Sequence, residues 1–152
     1  MHDRELKSDN SSAGEGKDAG SAINEELHFR RVSALEMGGP AAIERQHANG
    51  RLTVRERFAK LIDEESLREI GTLGGSGEYD ENNKLMRVTP APYVAGMARV
   101  NGRPVALGGE DFTVRGGTTF GAARRKGGQG GFIEDLAHYY KIPLVNLIDG
   151  AG

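Results

Sequence analysis

The sequence predicts an α/β fold in which a β-hairpin, a helix and a strand form a ββα unit at the start of its repeat, preceded by a helical segment. Three observations predict it. Two Val- and Ala-rich runs between Tyr93 and Leu107 flank Asn101-Gly102, the pair that favours a type I′ hairpin turn. Phe132, Ile133, Leu136 and Tyr140 share one face of a helical pattern over 132–141, while Glu134, Asp135 and Lys141 point away. Pro143-Leu144-Val145-Asn146-Leu147-Ile148 is then a mostly apolar run of strand length, of the kind buried on both faces of a sheet.

Three divisions follow from the order of these signals. Residues 1–22 are rich in Ser, Gly, Asp, Glu and Lys and hold too little apolar surface to fold, which predicts a disordered tail. Residues 23–66 form the helical segment. Asn24-Glu25-Glu26 supplies a cap with acids in the first turn, and Gly38-Gly39 ends that helix. Pro40 suits the first turn of a second helix, which runs to Ala48 and stops at Asn49-Gly50. Thr53-Val54-Arg55-Glu56 is a capping box for a third, with Phe58, Leu61 and Ile62 on one apolar face and Asp63-Glu64-Glu65-Ser66 as its exit. Residues 67–152 begin the α/β domain: a short strand at Leu67–Ile70, a loop over 71–91, the hairpin, a helix-forming stretch from Thr118 to Lys126, and the final helix and strand.

Composition excludes several function classes. At 152 residues the chain holds one domain with a real core. Twenty basic and 22 acidic side chains nearly cancel, so bulk charge does not recruit a nucleic acid or a membrane. There is no cysteine, hence no disulfide, thiol nucleophile or Cys-ligated zinc. The four histidines, His2, His28, His47 and His138, show no metal-ligand spacing, and the last three fall on polar sides of helices. No metal is expected. The N-terminus lacks an apolar stretch and carries acids, which predicts a cytoplasmic protein. Dinucleotide and nucleotide-cleaving fingerprints are absent.

Glycine is the outlier. Its 23 residues include pairs at 74–75, 108–109, 116–117, 127–128 and 130–131, as expected of loops or of backbone that approaches a ligand closely. Asp149-Gly150-Ala151-Gly152 comes directly after the final strand, where α/β proteins place ligand loops. Small residues leave the amides of Gly150, Ala151 and Gly152 free to donate to an oxyanion, such as the enolate of a thioester. The same tetrapeptide also serves as an ordinary turn. Arg124-Arg125-Lys126 can hold phosphates of a nucleotide-bearing ligand, or can be a solvated helix end. Gly116-Gly117 offers a close approach to a phosphate or a plain linker. Glu110 and Asp111 are adjacent in a strand, so they face opposite ways and make a poor acid and base pair.

Taken together, these segments resemble one family. Residues 44–57, Glu-Arg-Gln-His-Ala-Asn-Gly-Arg-Leu-Thr-Val-Arg-Glu-Arg, are similar to the entry helices of the carboxyltransferase (β-type) subunits of biotin-dependent acyl-CoA carboxylases. The likeness continues through Leu61-Ile62-Asp63 and Ser66, Val100-Asn101-Gly102-Arg103-Pro104-Val105, Asp111-Phe112-Thr113-Val114, Gly116-Gly117-Thr118 and residues 137–152. It covers roughly residues 35–152. Three departures stand out: Asp149-Gly150-Ala151-Gly152 replaces the usual Asp-Ser-Gly-Gly-Ala-Arg, the stretch Lys126–Gly131 is longer and richer in glycine, and the later glycine-rich loop and the biotin-side domain are missing. The lack of cysteine argues against the zinc-ribbon branch of the family.

The resemblance implies a crotonase-like fold of ββα repeats, and a reaction in which carboxybiotin on a partner carrier gives its CO₂ unit to the α-carbon of an acyl-CoA. Biotin and acyl-CoA are therefore the expected cofactor and substrate. The expected partners are a biotin carboxylase or carboxyl carrier subunit and further copies of the chain. Backbone amides at Gly150, Ala151 and Gly152 are the expected catalytic groups, and Gly116, Gly117, Arg124, Arg125 and Lys126 the expected acyl-CoA contacts. The chain is expected to be the start of a longer protein, inactive by itself. Two other readings share the features: a crotonase-like hydratase, isomerase or decarboxylase that needs no biotin, and a non-catalytic acyl-CoA-binding or assembly module that uses residues 24–62 as an interaction arm.

Overall fold

A computed structural model describes residues 12–118 and 131–150, with side chains from residue 20 onward. Three helices come first: α1 (Ser12–Glu36), α2 (Pro40–Ala48) and α3 (Val54–Leu61). Strands β1 (Arg68–Ile70), β2 (Gly75–Tyr79), β3 (Leu85–Pro90), β4 (Tyr93–Val100) and β5 (Arg103–Glu110) follow. A tight turn at Arg115–Gly117, helix α4 (Phe132–Tyr140) and strand β6 (Leu144–Leu147) complete the order. The fold is α/β, with a mixed sheet of order β1-β4-β5-β6 and a separate two-stranded ribbon, β2-β3.

The β4–β5 hairpin is the centre of the sheet. Its strands pair antiparallel from Tyr93 opposite Glu110 to Val100 opposite Arg103. Asn101 and Gly102 take φ of 49° and 76°, the two left-handed residues a type I′ turn requires. Asp63 secures that turn from outside, its carboxylate accepting the amides of Asn101 at 2.8 Å and Gly102 at 2.7 Å. Strand β6 lies parallel to β5, with Gly109 opposite Leu147. A parallel neighbour cannot be reached by a short turn, so the chain crosses over through α4.

Side-chain alternation divides the core between the two faces of this sheet. Val94, Ala98, Val105 and Leu107 pack with Val54 and Phe58 of α3, and Val145 and Leu147 of β6 join them. Tyr93, Ala95 and Ala106 face the other way, onto Ile133 and Ala137 of α4. Phe58, Leu107 and Ile133 are fully buried, so α3 and α4 clamp the hairpin from opposite sides. The capping box of α3 is formed as its sequence predicts: Thr53 accepts the Glu56 amide and the Glu56 carboxylate accepts the Thr53 amide.

Four expectations are corrected or bounded. Helix α1 begins at Ser12, inside the segment expected to be a disordered tail, because a helix nucleus anchored further along propagates at low cost per residue. That anchor is visible where Arg30 donates to Glu26 and to Tyr79, at 2.9 Å and 2.6 Å, and where Gly38 donates to Thr113 at 2.9 Å. The loop expected over 71–91 contains the β2–β3 ribbon. Its turn is held by Asp80, which accepts the amides of Asn82 and Lys84. Strand β6 is half-buried rather than covered on both faces, since it is an edge of the described sheet; Leu144 is 40% and Ile148 61% exposed. The helical stretch expected up to Lys126 lies, after Thr118, outside the described residues.

Candidate functional site

The loop after β6 is positioned by three elements. Strand β6 is registered first, by the Tyr93 hydroxyl donating to the Asn146 side chain at 2.9 Å. Glu110, the last residue of β5, then reaches the two residues beyond β6: its Oε2 accepts the Asp149 amide at 2.6 Å and the Gly150 amide as well. From α3, Arg57 Nη1 faces the Asp149 carboxylate at 3.5 Å. That nitrogen is buried and has no hydrogen-bond partner among the described residues, so the ion pair is its compensation. The turn at Arg115–Gly117 closes the third side. A Cβ placed on Gly117, whose φ is 74°, would stand 2.9 Å from Gly150 Cα, and one on Gly150 would stand 2.9 Å from Glu110 Oε2. Only glycine fits this approach without displacement.

Two consecutive amides that converge on one oxygen form an anion-binding concavity. In this structure the anion is the Glu110 carboxylate. Both amides are therefore engaged within the chain, and this contact fixes the start of the loop.

Glu110 and Asp111 do diverge, as their adjacency predicts. Asp111 is 2% exposed and turns back to accept the Thr113 amide at 3.0 Å and its hydroxyl at 2.6 Å. Burial pushes its carboxyl above the usual range, against the lowering effect of the Thr113 bonds and of Arg55. Arg55 itself pairs in bidentate fashion with Glu69, at 2.7 Å and 2.8 Å, and donates to the Ala34 carbonyl. This network is structural: it joins α1, α3 and β1. Two clefts of about 540 Å³ lie elsewhere, one lined by Phe58, Ile62 and Leu67 and the other by Phe29, Met37, Met86 and Arg115. Neither includes Gly150.

Comparison with known proteins identifies the family. Residues 45–152 match the carboxyl transferase domain family. The chain belongs to that family. It is 35% identical over 130 residues to the biotin-dependent acetyl-/propionyl-coenzyme A carboxylase beta5 subunit of Mycobacterium tuberculosis, a match covering 84% of this chain and 23% of the relative. It is likewise 35% identical over 136 residues to the mitochondrial propionyl-CoA carboxylase beta chain of Rattus norvegicus, covering 86% and 24%. Among solved structures it superimposes on transcarboxylase 12S, a hexamer seen with methylmalonyl-coenzyme A bound, with a TM-score of 0.69 and 27% identity over 87% of this chain and 25% of that one. The chain thus spans about a quarter of the length of these relatives.

Within this carboxyl transferase segment the expected site residues separate. Gly117 and Gly150 are in contact, so the second glycine of the pair packs against the loop after β6. Gly116, with φ of 65°, has open space at its Cβ position. Ala151, Gly152, Arg124, Arg125 and Lys126 lie outside the described residues. Among the described residues no three His, Asp or Glu side chains gather as a metal site, and no helix is long and apolar enough to cross a membrane. Sequence reasoning missed Glu110 and Arg57 as loop contacts. Their partner is about 40 positions away for Glu110 and further for Arg57, so no local pattern carries the signal.

Proposed function

We propose that this chain contributes the acyl-CoA side of a carboxyltransferase, in which a CO₂ unit passes from carboxybiotin to the α-carbon of an acyl-CoA. The observation that carries this reading is the match of residues 45–152 to the carboxyl transferase domain, in a chain whose loop after β6 is held in place by Glu110. Carboxybiotin, borne by a carrier, would supply the CO₂ unit. The part of this chain is to steady the acyl partner. When the α-proton leaves an acyl thioester, negative charge moves to the thioester oxygen, and N–H groups held ready for that oxygen lower the barrier. Because Glu110 engages the Gly150 amide, the donor role expected of Gly150 passes in this reading to the amides of Ala151 and Gly152, while Gly150 supplies clearance.

Gly116 and Gly117 and the cations Arg124, Arg125 and Lys126 are assigned to the acyl-CoA, whose phosphates suit guanidinium and ammonium groups. The open backbone at Gly116 favours a ligand approach there. A biotin carboxylase or carrier subunit is the proposed partner, and a homo-oligomer the proposed working form, in keeping with relatives named as beta subunits and with the hexameric 12S protein. With about a quarter of a relative's length present, the 152 residues alone are proposed to be inactive.

Proline substitution tests the donors, since it removes the N–H, although it also fixes φ and restricts the residue before it. In the assembled carboxylase, Ala151→Pro and Gly152→Pro are expected to lower kcat by about 10²–10³-fold, the effect of losing one oxyanion donor. An unchanged kcat in both variants would remove the loop from the chemistry.

A further inference from the structure

We propose that Glu110 is a positioning residue for the loop after β6, a role that rests on the functional reading above for its consequence but not for its geometry. Four features carry it. A single oxygen, Oε2, accepts two consecutive amides, those of Asp149 and Gly150. The residue stands at the last position of β5, paired with Tyr93 of β4 and directly after Gly109, which pairs with Leu147 of β6, so its backbone is fixed at the end of the sheet. The loop it holds also touches Gly117, which packs beside Glu110 against Gly150, and Arg57 braces it through the Asp149 side chain. Finally, among the described residues those two amides have no other acceptor. Without Glu110 they would be half-buried donors with no partner, a state that drives local rearrangement.

The chemistry of the bond makes the role specific. Two N–H dipoles aimed at one point favour a negatively charged oxygen but need only an oxygen, because both bonds fall on Oε2. A glutamine has the same reach and a carbonyl oxygen in the same place, so it can keep both bonds without the charge. An alanine keeps neither. An aspartate is shorter by one methylene and cannot reach. Glu110 fixes Asp149 and Gly150, and on the functional reading above the donors are the next two residues in sequence, so the prediction is that a shift of the order of an ångström at Gly150 misplaces them. Misplacement of that size lowers turnover by about 10²-fold.

The test has two arms. In the 152-residue chain without ligand, the amide protons of Asp149 and Gly150 are followed by NMR in the parent, Glu110→Gln and Glu110→Ala. Both resonances are expected well downfield in the parent and in the Gln variant, and displaced upfield in the Ala variant. In the assembled carboxylase, Glu110→Ala is expected to lower kcat by about 10²-fold with KM for acyl-CoA little changed, and Glu110→Gln to recover most of the loss. Identical amide shifts in all three proteins would overturn the proposal. So would a Gln variant as damaged as the Ala variant, or a loss confined to KM. Should the Ala variant fail to fold, the Gln variant still decides, since loss of the downfield resonances there contradicts the geometry. If the parent transfers no carboxyl group while the resonances behave as expected, the functional reading fails and the loop contact stands.

Discussion

At the N-terminus of α3 one carboxylate answers to several partners: Glu56 accepts the Thr53 amide at 2.7 Å and stands 2.9 Å from the His47 ring. The His47 hydrogen bond first, and then the Thr53 amide, hold its carboxyl at about 2, below the ordinary 4.5. A depressed carboxyl contributes stability that is present above its unfolded value and is lost as pH falls through its folded value. The thermal midpoint gap between the parent and Glu56→Ala is therefore expected to be full above pH 4.5 and to close as pH approaches 2. Its size at neutral pH is modest, about 1 kcal/mol, since the pair is partly exposed and the cap supplies most of it. A gap that is constant across that range would contradict the assignment. The capping box itself was legible, because Thr53 and Glu56 are three residues apart and act locally. Glu110 was not: its character as a strand acid was read correctly, but its partners are set by how β5 and β6 come together.

The elements divide on the same principle. The β4–β5 hairpin and helices α2, α3 and α4 stand where periodicity and turn residues put them, as each is specified by neighbours in sequence. The β2–β3 ribbon was hidden by Gly74-Gly75-Ser76-Gly77, which reads as a loop until Asp80 is seen to close its turn and α1 to pack on β3. Strand β6 was found, but its burial was overestimated, since an apolar run does not reveal whether a strand is central or at an edge. Asp63 joins the helical segment to the sheet by holding the hairpin turn, a contact 38 and 39 residues long. Asp63→Ala is expected to destabilise the chain by about 1–2 kcal/mol in chemical denaturation, and Asp63→Asn, which keeps an acceptor oxygen, by less. An Asp63→Ala variant as stable as the parent would show the turn to be sufficient alone.

As a whole the molecule is a helical arm folded against a clamped hairpin, and everything that fixes the candidate loop converges on the C-terminal ends of β5 and β6. Helix α3 serves twice, burying Phe58 under the sheet and directing Arg57 at Asp149. The family was legible in ordered blocks of sequence. The loop's local shape was not, because it depends on contacts between segments that the chain brings together only on folding. The most direct test of the central claim is transfer of a labelled carboxyl group from a carboxybiotin carrier to acetyl- or propionyl-CoA by the assembled protein that contains this chain. Label is expected in the acyl-CoA product, in a reaction that requires the biotin carrier and is lost with Ala151→Pro. Label transfer that does not depend on the carrier, or no transfer alongside turnover of an enoyl-CoA, would contradict it.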